Sequence, residues 1–107
     1  MKVMLLTKEV RERLPKLYAN EKVALDEQVL QVKFFTPDSD WTWYAGEFDG
    51  SETFFGVVVT PICPDGEWGY FNLKELESAK GPMGLSIERD RNWEPRQWKK
   101  IKESLAS

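Results

Sequence analysis

Leu30-Gln31-Val32-Lys33-Phe34-Phe35-Thr36-Pro37-Asp38-Ser39-Asp40-Trp41-Thr42-Trp43-Tyr44-Ala45-Gly46-Glu47-Phe48-Asp49-Gly50 is the stretch on which the reading of this fold turns. Leu30, Val32 and Phe34 alternate with Gln31, Lys33 and Phe35, the period-two pattern of a half-buried strand. Thr36 to Asp40 supply the Pro and Asx chemistry of a tight connection. A second strand follows from Trp41 to Phe48. Strict alternation puts Trp41, Trp43, Ala45 and Glu47 on one face, and Thr42, Tyr44, Gly46 and Phe48 on the other. Asp49-Gly50 then predicts a two-residue hairpin turn.

Outward from this hairpin, Phe54-Phe55-Gly56-Val57-Val58-Val59 is apolar on both faces and reads as the most buried strand. Pro64-Asp65-Gly66 turns the chain into Trp68-Gly69-Tyr70-Phe71. Successive short hairpins assemble most simply as an antiparallel meander of about four strands. At the N-terminal side, Thr7 caps a helix through Leu14, with Val10, Leu14 and Leu17 on one side and Pro15 as its breaker. Asn72 with Glu75 forms a capping-box pattern opening a short helix from Leu73 to Ala79, which Gly81-Pro82 ends. A short extended piece surrounds Leu85-Ser86-Ile87, and a last helix begins at Pro95, with Trp98, Ile101 and Leu105 as its apolar stripe. A small sheet cannot bury its apolar side alone, so the N- and C-terminal helices are expected to cover one face of it. The expected class is α+β, in a single domain over residues 1–107.

Composition narrows the chemistry. With 107 residues, 41% hydrophobic and 31% charged, the chain has the balance of a globular domain rather than a disordered segment. It contains no His, which excludes Ser-His-Asp and Cys-His catalysis and His-ligated zinc. Cys63 is the only cysteine, so no disulfide forms within the chain, and a reducing, cytoplasmic setting is expected. Lys2-Val3-Met4-Leu5-Leu6 is too short for a signal-peptide core or a membrane span, so no membrane association is expected.

The net charge of −3 hides a segregation. Residues 1–33 carry seven bases and five acids, and residues 74–107 eight bases and six acids. Residues 34–73 contain no base and seven acids: Asp38, Asp40, Glu47, Asp49, Glu52, Asp65 and Glu67. Hairpin turns alternate between two ends of a sheet, which groups Asp38 and Asp40 with Asp65 and Glu67, close to Trp41 and Trp68. The candidate partner-binding surface is therefore Asp38, Asp40, Trp41, Trp43, Glu47, Asp65, Glu67 and Trp68, with a protein bearing a basic surface as partner. The plainer account is that turns favour Asp and that these acids are simply solvated.

The C-terminal part interleaves bases with aromatics. Arg89, Arg91, Arg96 and Lys99, beside Trp93 and Trp98, are the candidates for an alternative, nucleic-acid-binding reading. Glu88, Asp90, Glu94 and Glu103 dilute that segment, and an acidic pI near 5.0 argues against a basic footprint over the whole domain. Enzymatic readings are thinner. No glycine-rich phosphate loop opens a helix. Asp38, Asp40 and Glu47 could serve a metal-dependent hydrolase, and Glu47 with Glu67 on neighbouring strands could serve a glycosidase. Cys63 has no nearby base to activate it and reads as a structural thiol. No metal or cofactor is expected.

Leu5-Leu6-Thr7, Leu14-Pro15-Lys16-Leu17-Tyr18, Val32 to Ser39, Trp41-Thr42-Trp43-Tyr44-Ala45, Phe54-Phe55-Gly56-Val57-Val58, Gly69 to Leu76 and Ile87-Glu88-Arg89-Asp90 occur in the order and spacing of one bacterial family. Over nearly its whole length the chain resembles the family catalogued as domain of unknown function 2958. Trp68 departs from the acidic residue that many members carry before the Gly-Tyr-Phe piece. The resemblance implies a small cytosolic protein, often encoded on plasmids, phages and other mobile elements, at times near anti-restriction genes. It supplies no activity and no catalytic residue. Together these readings lead to a non-enzymatic interaction module of mobile-element type, with an anti-defence role as its expected setting.

Overall fold

The computed structural model describes residues 5–106. Lys2, Val3 and Met4, on which the reading of the N-terminal apolar run rests, lie outside them. Helix α1 spans Lys8–Arg13, a 3₁₀ turn spans Leu25–Glu27, and strands β1 (Val29–Leu30), β2 (Val32–Phe35), β3 (Thr42–Phe48), β4 (Thr53–Val59) and β5 (Glu67–Asn72) follow. Helix α2 is Leu73–Ser78, β6 is Glu88–Arg89, β7 is Arg96–Gln97 and α3 is Trp98–Ala106. The class is α+β.

The main sheet is antiparallel and has five strands in the order β5-β4-β3-β2-β6, not four. The fifth is β6, whose Arg89 and Glu88 pair with Phe34 and Phe35 of β2. Two residues carry no period-two pattern, so only their pairing reveals them as a strand. The strand expected over Leu30–Phe35 is split at Gln31, because β1 pairs instead with β7. That pairing also delays the last helix. Residues 96 and 97 are extended, and α3 starts at Trp98 rather than Pro95.

The helices do not share a face. Val10 and Leu14 at α1, and Leu73 and Leu76 of α2, pack with Phe34, Trp43, Ala45, Phe48 and Phe54. Trp98 and Ile101 of α3 pack instead with Tyr44, Val57 and Leu30. Tyr44 lies between Trp43 and Ala45, so these two cores are on opposite sides of the sheet. The physical reason is that both sheet faces carry large apolar groups, and each must be covered. Two covered faces also make β3, the central strand, the most buried one, with six consecutive residues inside; β4 leaves Phe55, Val58 and Val59 half-buried.

Strict alternation fails within β3. Ala45 pairs with Gly56 and Glu47 with Phe55, so Gly46 is an extra residue, a β-bulge. Beyond it the faces exchange. Phe48 returns to the Trp43 side and stacks on Phe54 with ring centroids 4.5 Å apart, while Glu47 moves to the Tyr44 side. A Cβ on Gly46 would lie 3.1 Å from Leu30 Cδ2 and 3.3 Å from the Val29 carbonyl, so the bulge sits where β1 presses on the sheet.

The local caps follow the sequence. Thr7 Oγ1 accepts the Val10 N–H, and Asn72 Oδ1 accepts those of Lys74 and Glu75. The β3–β4 connection is wider than a two-residue turn, because Asp49 Oδ1 gathers the N–H groups of Ser51, Glu52 and Thr53 at 2.8, 2.8 and 3.0 Å. These bonds, that of Thr53 foremost, hold the Asp49 carboxyl below the ordinary carboxylate range. A carboxyl lowered on folding stabilises fully above its unfolded value and loses that contribution as pH falls through the folded one. Asp49→Ala is therefore expected to be less stable than wild type at neutral pH, with the gap closing as pH falls below the ordinary Asp value of about 3.9. Urea midpoints across a pH series would show it, and a gap independent of pH would contradict it.

Candidate functional site

The seven acids of residues 34–73 divide by the work they do. Asp38 Oδ2 accepts the N–H of Met83 at 2.8 Å and that of Leu85 at 3.4 Å. Its Oδ1 is buried without a hydrogen-bond partner, in the space a Cβ on residue 81 would need. Asp38 is thus the clasp of the 81–85 loop, and Gly81 is the residue that lets it close. Glu47 is 3% exposed; its Oε1 accepts the Tyr18 N–H at 2.8 Å and its Oε2 the Asn20 N–H at 2.9 Å. Tyr18 has a left-handed φ of 70°, in the turn that brings the N–H groups of residues 18 and 20 to one carboxylate. Asp49 organises its own turn. Glu52 meets Lys74 at 3.4 Å, a solvent-exposed pair of small energetic weight.

Asp40, Asp65 and Glu67 remain exposed. Of these, Glu67 stands in the wall of a groove of about 350 Å³. Trp41, Val58, Ile62, Cys63, Glu67, Trp68 and Tyr70 line it; Asp40 directly precedes Trp41 in the chain. Thr42 pairs with Val59, so the turns before β3 and after β4 lie at the same end of the sheet. Ile62 is 89% exposed, Tyr70 56% and Trp41 40%, an apolar surface with a carboxylate in its wall and, among the described residues, no base. Trp43, by contrast, is core, 9% exposed, with its ring 5.8 Å from that of Trp41. Glu67 accepts the Cys63 thiol at 3.5 Å. That hydrogen bond, then burial and the charges of Glu67 and Asp65, push the thiol upward, away from a reactive thiolate.

The enzymatic arrangements do not assemble. Asp38 precedes β3 while Glu47 is near its far end, held on the opposite side from Trp43, so Asp38, Asp40 and Glu47 form no common site. Among the described residues, no group of three or more His, Cys, Asp or Glu is placed to hold a metal ion. Glu47 and Glu67 are not on neighbouring strands, since β4 runs between β3 and β5. They also point to different faces: Glu47 pairs with Phe55 and Glu67 with Val58, three residues apart on β4. A cavity of about 150 Å³ does lie beside Glu47, walled by Tyr18, Leu25, Phe55 and Tyr70. The hydrogen bond that Tyr70 donates to Tyr18, then desolvation and the nearby Glu47 charge, raise the Tyr70 hydroxyl above its ordinary value.

The basic residues group at the opposite edge of the sheet from β5. The Arg96 guanidinium lies 4.3 Å from the Trp93 ring centre and the Lys33 ammonium 5.7 Å from it. Trp93 also donates through Nε1 to the Leu30 carbonyl at 3.1 Å and packs on Tyr44. Its ring is therefore engaged within the fold rather than offered to a base. Arg89 and Arg91 line two adjoining cavities, together with Lys33 in one and Arg13 in the other. Lys99, on α3, lines neither.

Sequence reading missed Ile62, Tyr70, Arg13 and Lys33. An isolated Ile between Pro61 and Cys63-Pro64, in a turn that has no strand to bury it, was the one local signal. Arg13 and Lys33 join Arg89 only through pairing and packing across the whole chain. Among the described residues, no helix is long and apolar enough to cross a membrane.

Neither a curated protein nor a solved structure matches the chain. The family model described as protein of unknown function (DUF2958) matches residues 5–101, nearly the whole of it, and the chain belongs to that family.

Proposed function

We propose that this chain is a non-enzymatic protein-interaction module whose groove at Trp41, Ile62 and Glu67 receives a cationic protein partner. The observation that carries this reading is the groove itself. Exposed Trp41 and Ile62 line it together with the Glu67 carboxylate of the edge strand β5, and among the described residues no base lines it. Apolar anchors supply contact energy, while Glu67, with Asp40 and Asp65 nearby, supplies steering and register toward Lys or Arg. Among the described residues, no further strand lies on the outer side of β5, so a partner's extended segment could pair along it. In the mobile-element setting that the family resemblance implies, the partner would be a cytoplasmic host enzyme with a cationic nucleic-acid groove, and occupying that groove would be anti-defence activity.

The test is affinity capture from host lysate with wild type, with Asp40→Lys/Glu67→Lys and with Ile62→Asp. All three substituted positions are exposed, so folding is preserved. A protein retained by wild type and lost by both variants is expected. Partner sets identical across the three baits would defeat the reading.

A further inference from the structure

The cleft between α1 and β6 is a concentration of guanidinium groups that the groove reading leaves unused. Arg13, Arg89 and Arg91 line a cavity of about 250 Å³, and Arg89 and Arg91 continue into a second of about 430 Å³, where Lys33 joins them. Three elements distant in sequence supply these bases. α1 brings Arg13, β2 brings Lys33, and β6 with the residue two beyond it brings Arg89 and Arg91. Two of them are held in place. Arg89 donates from Nε to the Leu5 carbonyl at 3.0 Å, and Arg13 from Nη2 to the Gln31 carbonyl at 3.3 Å. A guanidinium anchored by one donor keeps its others for a second partner, since it carries five N–H groups.

The walls also contain carboxylates, Glu9 and Asp90 in the first cavity and Glu88 and Asp90 in the second. None is paired with these bases: among the described residues, Arg13, Lys33, Arg89 and Arg91 form no ion pair. Asp90 Oδ1 is committed instead to the Asn92 N–H at 2.9 Å. A concave site with several convergent, unpaired guanidinium groups is suited to a tetrahedral oxyanion, which accepts forked N–H donors. We infer that this cleft binds a phosphate group through Arg13, Arg89 and Arg91. Because Trp93 is engaged by Arg96, Lys33 and Tyr44, the site recognises the phosphate and not a stacked base. It stands at the opposite edge of the sheet from β5 and does not depend on the groove described above.

Two sources could present that group, a phosphodiester backbone or a free phosphate. The full chain, labelled with ¹⁵N, is titrated at low salt with inorganic phosphate and, separately, with single-stranded oligothymidine, following the arginine Nε–H signals. Saturable shifts at Arg89 and Arg91 are expected, and Arg91→Gln should weaken binding about tenfold through loss of a charge-assisted bond. Arg91 and Arg13 are exposed, and the dispersion of the remaining signals verifies folding of the variants. Tighter binding of oligothymidine, falling steeply with salt, assigns the site to a nucleic-acid backbone. Equal or tighter binding of phosphate assigns it to a small phosphate-bearing molecule. The inference is overturned if neither ligand gives saturable shifts, or if Arg91→Gln and Arg13→Gln both bind as wild type does.

Discussion

Gly56→Ala is expected to lose about 4 kcal/mol of stability, at the exceptional end for a single substitution. Gly56 pairs with Ala45 on one side and Gly69 on the other, within β4. A Cβ there would fall on the Tyr44 carbonyl oxygen and lie 3.1 Å from the Ala45 Cα. Both obstacles are backbone of β3, the central and most buried strand, which is itself paired to β2. A side chain can rotate aside; a strand laddered on both edges cannot. Small domains have roughly 5–15 kcal/mol in total, so the variant is expected near the limit of folding at room temperature. Gly69→Ala is the control, because Gly69 is the β5 partner of Gly56 and a Cβ at that position meets nothing within 4 Å. Urea midpoints should differ widely between the two variants. Comparable midpoints would mean that β3 yields where the geometry says it does not.

Glu47→Ala is expected to cost about 3 kcal/mol, because two charge-assisted hydrogen bonds vanish together and leave the Tyr18 and Asn20 N–H groups without their acceptor. Glu47→Gln keeps one acceptor oxygen and turns an NH₂ toward the other N–H. It should therefore still be destabilised, by roughly half as much as Ala. The loss is expected to be local as well as global. Hydrogen exchange at Tyr18 and Asn20 should accelerate in Glu47→Ala more than exchange within β3 and β4. If the Ala variant matched wild type in urea, the buried carboxylate would not be what holds the segment at residues 18–20.

These two residues also show where reading the chain succeeds. Phe34, Trp43, Tyr44 and Phe54 announce strands because alternation and aromatic content are local properties, and the caps at Thr7 and Asn72 need only three or four consecutive residues. The break in β3 was not legible. Gly46 is as compatible with a regular strand as with a bulge, and only the approach of Val29 and Leu30 decides between them. One extra residue then exchanged the faces of Glu47 and Phe48, turning a candidate surface acid into a buried ligand of backbone N–H groups. Asp38 followed a similar course, since the loop it clasps is more than forty positions away in the chain. Of the proposed acidic surface, Asp40, Trp41, Asp65, Glu67 and Trp68 kept exposure or a place in the groove, while Asp38, Trp43 and Glu47 went to structural work.

Local chemistry was enough to settle the class of this protein, the starts of its first two helices, its aromatic core residues and the exclusion of histidine chemistry, because those depend on residue type and near neighbours. Strand order was decided in three dimensions. It placed the acidic β5 and the arginine-bearing β6 at opposite edges, drew Arg13 and Lys33 beside Arg89, and sent α1 and α3 to opposite faces. The reason is that backbone pairing and burial are satisfied between segments far apart along the chain, and no short window of residues records which partner each one will meet.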